Sequence, residues 1–158
     1  MRHMHAIVIA VLGALVTLSF AGEPLSDDQW ESDLDTLAEG LLSRHPNFYT
    51  KRSVEDFESA MNELFDRIGT IDDQMMAVEV SRLVALGGDA HTTVGFGEIG
   101  KRMRRLPVRL MVMEDGVFIT LATKEYEHHI GSEVLTIGGI AIDEVLDRVS
   151  VLFAFENE

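Results

Sequence analysis

The chain has 158 residues, 46% of them hydrophobic and 25% charged, which is enough to bury a core in one ordinary domain or two small ones. Its formal net charge is −14, from 27 acidic and 13 basic side chains. That balance argues against nucleic acid and against anionic lipid as partners, because both call for a basic face. With no cysteine there is no disulfide framework, no thiolate metal site and no cysteine nucleophile.

The chain opens with a signal-peptide pattern. Arg2, His3 and His5 form a basic head, Ala6 to Phe20 carry no charge, and Ser19-Phe20-Ala21 places small residues at a cleavage site. The apolar run is short for a membrane-spanning helix. Cleavage is expected after Ala21, and the destination is then the periplasm or the outside.

Residues 22–100 read as helices. Ser26 and Gln29 make a capping box, followed by Trp30, Leu34, Leu37 and Leu41 at helical spacing, with Pro46 as the stop. His45-Pro46-Asn47-Phe48-Tyr49 is a corner whose aromatics tuck under the helices. Ser53 and Asp56 open a second helix with the stripe Phe57, Met61, Leu64, Phe65 and Ile68, stopped by Gly69. Thr70 to Asp73 opens a third, with Met76, Val80, Leu83 and Val84 inward. Short loops between them predict a three-helix bundle.

Gly87 and Gly88 stop the third helix, and Asp89, His91 and Thr92 follow at once. Two readings stand here. In one, His91 is a catalytic or ligand-binding histidine and Asp89 orients it. In the other, Asp89 satisfies loop amides and His91 is merely half-buried at a capped corner. Thr92 to Phe96 alternates weakly and reads as a strand. Lys101 to Arg105 reads as a solvated linker or as a contact to the acidic helices.

Residues 101–158 change period. Val108, Leu110 and Val112 alternate with Arg109, Met111 and Met113, Asp115-Gly116 signals a hairpin, and Val117 to Ala122 returns. Lys124 to His129 is a polar loop or short helical turn. Gly131 to Ile137 is a strand, Gly138-Gly139 its turn, and Ile140 to Ile142 a short strand. Asp143 caps a helix with Val145, Leu146, Val149 and Leu152 inward. The class is α+β. A metal site drawing on Asp89, His91, His128 and His129 lacks fixed ligand spacing, so no metal and no cofactor is expected.

Three passages together resemble a known family: Gly88-Asp89-Ala90-His91-Thr92; Leu106-Pro107 with Asp115-Gly116-Val117-Phe118-Ile119; and Gly131 to Gly139 followed by Ile142 to Leu146. In this order they resemble the N-terminal part of the tail-specific, or C-terminal-processing, serine peptidases, in the tricorn-core-like and retinoid-binding-protein-like branch. His45 to Tyr49 also fits that branch. The resemblance runs from Trp30 to about Glu156. It implies a helical domain (22–100), a PDZ-like domain (101–158) and a catalytic α/β domain beyond the chain, with peptide or unfolded protein as substrate. It implies His91 as general base. Tricorn-type enzymes carry a serine directly before that histidine, where this chain has Ala90, and Asp89 is then the orienting group. No serine here sits in a nucleophile turn, so the chain alone is expected to be inactive. The alternative is an exported module that binds peptides or other ligands without chemistry.

Overall fold

The structure, a computed structural model, describes residues 7–9, 23–45, 48 and 53–155. The expected signal segment lies outside the described residues apart from Ile7–Ile9, a short strand, β1. Pro46, Asn47 and Tyr49 also lie outside them. The fold is mixed α+β, and its described residues fall into two compact units. One holds residues 23–103 with 149–155, and the other holds 7–9 with 104–148.

In the first unit, α1 (Asp27–Arg44), α2 (Val54–Phe65) and α3 (Asp73–Ala85) share one apolar core. Both capping boxes form. The Ser26 hydroxyl accepts from the Gln29 N–H while Gln29 Oε1 accepts from the Ser26 N–H, and Ser53 and Asp56 repeat this for α2. Asp72 caps α3, its Oδ1 accepting from the Met75 N–H at 2.8 Å. The helical stripes then place Trp30, Leu34, Phe57, Met61, Leu64, Met76, Leu83 and Val84 in the core with Phe48. Residues 92–96 form no strand. Val94 packs on this helical core instead, and the chain turns into α4 (Gly97–Arg102), whose Ile99 does the same.

The basic cluster divides. Arg102 reaches Asp73, which is 9% exposed, with Nη2 3.2 Å from Oδ2. Asp73 Oδ1 accepts from the Trp30 indole at 3.0 Å, and Oδ2 also accepts from the Leu25 N–H at 3.2 Å. One carboxylate thus ties the segment before α1, α1 itself, α3 and α4 together.

In the second unit, β2 (Val108–Met113) and β3 (Gly116–Ala122) form an antiparallel hairpin. Its loop is Glu114-Asp115, one residue earlier than the Asp-Gly signal suggests, because Gly116 pairs with Met113 and begins β3. Gly116 has φ 146° and lies against the Glu133 carboxylate, so it serves a backbone conformation and a close approach rather than the turn itself. Lys124–His129 is a 3₁₀ turn. β4 (Val134–Ile137) pairs antiparallel with β5 (Ile140–Ala141) through the left-handed Gly138-Gly139 turn, and parallel with β1. The last helix, α5 (Ile142–Ser150), begins at Ile142, so Asp143 sits inside its first turn rather than capping it. Ile142 and Leu146 pack beside Val117, Ile119 and Val134, whereas Val149 is exposed. Among the described residues no helix is long and apolar enough to cross a membrane.

Replacing Asp73 by Ala strands the indole N–H in a buried place and takes from Arg102 its ion pair with Asp73. The expected cost is about 2–4 kcal/mol. Urea unfolding followed by the fluorescence of Trp30, the sole tryptophan, measures it. Asp73→Asn keeps an acceptor for the indole and costs less.

Candidate functional site

The corner after α3 is built on a close approach. The Gly87 and Gly88 N–H groups return to the Val84 and Ala85 carbonyls at 3.1 Å, and Gly88 adopts φ 79°, the left-handed conformation that ends helices at glycine. Gly87 is required for a different reason. A Cβ there would lie 2.4 Å from the Phe48 ring. That ring is buried, and it meets His45 and Phe57 edge-on, with centroids 5.5 and 5.3 Å away. The bare backbone of Gly87 thus admits the ring that supports His45.

Asp89 then gathers donors. Its Oδ1 accepts from the His91 main-chain N–H at 2.8 Å. Its Oδ2 accepts from the Thr92 hydroxyl at 2.7 Å and lies 2.9 Å from His45 Nε2. The Asp89 carbonyl accepts from the Thr92 N–H at 3.1 Å, closing the turn. The Thr92 hydroxyl and the His91 N–H, with the bond and charge of His45 behind them, hold the Asp89 carboxyl down at about 2, against the opposing effect of desolvation.

The protons in this cluster follow from the acceptor. An ionised carboxylate only accepts, so Thr92 directs its single hydroxyl proton to Asp89. His45 Nε2 lies 2.9 Å from both Asp89 Oδ2 and Thr92 Oγ1, so it carries a proton toward them. Thr92 is therefore not arranged as a nucleophile. The nitrogen beside its hydroxyl is a donor and cannot take its proton.

Both expected site residues lie in this corner. His91 is exposed, and Asp89 is half-buried. Asp89 meets His91 at the main chain, and the imidazole it meets is that of His45. His45 is the residue that sequence reasoning passed over as a site residue. It stands 44 positions from Asp89, beyond any local spacing, and its signals are its place at the end of α1 and its membership of the His45 to Tyr49 corner. Elsewhere, the His128 and His129 rings lie 3.9 Å apart on the 3₁₀ turn. Among the described residues no group of three His, Cys, Asp or Glu side chains is placed to hold a metal ion.

Two outcomes follow. Gly87→Ala forces its methyl into Phe48 and is expected to destabilise the helical unit by about 1–3 kcal/mol, read from the urea midpoint. The Asp89 carboxyl is depressed in the folded state, so its contribution is full above the unfolded value of 3.8 and is lost as the pH falls through about 2. The stability difference between wild type and Asp89→Asn should therefore shrink over that window, in urea titrations run at each pH.

Comparison with protein-family models, with curated proteins and with solved structures gives no match for this chain.

Proposed function

We propose that this chain is the N-terminal part of an exported serine peptidase of the tail-specific kind. Its first domain is a three-helix bundle that presents His91 as general base. Its second is a PDZ-like module that takes a peptide by strand addition. The observation that carries the reading is His91 itself, exposed on a corner whose main chain Asp89 pins at 2.8 Å. A neutral imidazole carries a lone pair on one ring nitrogen, so His91, exposed on a corner whose main chain is fixed, can accept the proton of a serine hydroxyl brought to it by another domain. The nucleophile and its oxyanion site belong to that domain. The order hairpin, strand, double-glycine turn, strand and helix in 104–148 supports the PDZ-like reading, because its Gly131 to Gly139 strand and turn are among the passages that carry the resemblance.

A second reading is favoured by a separate observation. The helical unit holds an apolar groove of about 250 Å³ lined by Leu25, Trp30, Leu34, Val80, Val94 and Phe96. A module that binds an apolar ligand or side chain there needs no base, and the Asp89 corner is then structural.

The test is proteolysis of an unstructured peptide by the protein together with its downstream coding sequence, comparing wild type with His91→Ala. The peptidase reading expects a loss of at least about a hundredfold in kcat with folding intact. Equal activity of the two removes His91 from the chemistry, and an absence of peptidase activity in the wild type turns the choice to the binding module.

A further inference from the structure

We propose that His45 is the positioning residue of the His91 corner: its Nε2–H, beside the Thr92 hydroxyl, fixes the Asp89 carboxylate, which in turn fixes the main chain at His91. The catalytic meaning of this rests on the reading of His91 as general base. The positioning itself rests on the geometry.

The corner between Gly88 and Thr92 is a short turn, and its internal bonds are local. Thr92 N–H to the Asp89 carbonyl and His91 N–H to Asp89 Oδ1 both close within three residues. Such turns open readily when nothing outside them holds the side chain that closes them. His45 is the outside hold. It stands at the C-terminal end of α1, with its own N–H on the Leu41 carbonyl at 3.3 Å. Its ring rests edge-on against Phe48, and Phe48 lies on Gly87. The imidazole is therefore fixed by α1 and by the aromatic stack before it meets Asp89. Its bond at 2.9 Å joins the end of α1 to the end of α3 across 44 residues of sequence. The two carboxylate oxygens divide the work. Oδ2 faces His45 and Thr92, and Oδ1 faces the His91 main chain. Because a carboxylate is planar and rigid, fixing one oxygen fixes the direction of the other.

The experiment uses the full chain and two readouts. The first is hydrogen exchange at the His91 amide. His45→Ala should accelerate it roughly tenfold, as loss of a charge-assisted bond does, while the Leu83 and Val84 amides of α3 keep their rates. His45→Gln, whose amide nitrogen stands where Nε2 does, should retain most of the protection. The second readout is the ¹⁵N spectrum of the imidazoles. It should show His45 with its proton on Nε2, and Asp89→Asn should change that tautomer balance. Unchanged His91 exchange in His45→Ala overturns the proposal, as does a Gln variant that exchanges as fast as the Ala variant, or a lone pair on Nε2. Should His45→Ala fail to fold, His45→Phe supplies the same comparison: it keeps a ring against Phe48 and removes the donor, so acceleration at His91 supports the proposal and an unchanged rate overturns it. The proteolysis assay separates the two levels. Altered exchange with a fully active His91→Ala leaves the positioning standing and removes its catalytic meaning. Unaltered exchange with an inactive His91→Ala does the reverse.

Discussion

A single carboxylate, that of Asp89, holds together the corner that follows α3. Three donors converge on it: a main-chain N–H, a hydroxyl and an imidazole N–H. Each favours the ionised form, and together they outweigh the desolvation that opposes it. The result is a fixed negative charge beside an exposed histidine. The hydroxyl and the main-chain donor come from within the turn, and the imidazole comes from the end of another helix. The corner thus depends on the placing of α1 relative to α3, and that placing depends on the shared core.

The same device occurs a second time in the helical unit, with a different balance. Asp73 also takes a main-chain N–H, a neutral ring N–H and a cationic side chain. Its partners are more deeply set, and it joins four segments rather than two. A buried carboxylate without these partners would cost more than any contact it could make, so its donors are a condition of the packing rather than an addition to it. Around both carboxylates the aromatic side chains set the spacing. Trp30 brings its indole to Asp73, and Phe48, lying on the bare backbone of Gly87, brings His45 to Asp89.

What the sequence made legible was local. Capping boxes at Ser26 and Ser53 span three residues, and the apolar stripes of α1 to α3 repeat within a turn or two, so both are visible without tertiary knowledge. The hairpin and the double-glycine turn were visible for the same reason. The failures mark where tertiary contact decided the outcome. Thr92 to Phe96 alternates like a strand, yet among the described residues no strand pairs with it, and Val94 finds its burial against helices. In α5 the helical period was right, and the inward face was right at Leu146 and wrong at Val149. Ile142, counted as strand, is the first helical residue and packs on the sheet, while Val149 turns outward. At the hairpin, Gly116 answers to the Glu133 side chain, which no turn rule contains.

The corner shows the same limit at the level of chemistry. Asp89 two residues before His91 suggests an orienting pair by proximity. In a turn this tight, however, the short Asp side chain reaches the main-chain N–H of its second neighbour, the ordinary behaviour of aspartate at such positions. Its remaining oxygen takes the Thr92 hydroxyl from within the turn, and what else it meets is set by the fold. Here it meets His45, delivered by a helix end and an aromatic stack. The pairing of acid and imidazole that a sequence reader looks for is present in this chain, displaced from the local histidine to a distant one. The local histidine retains exposure and a fixed main chain, and the distant one retains the acid. In this corner exposure and the acid partner belong to different histidines, joined through one carboxylate.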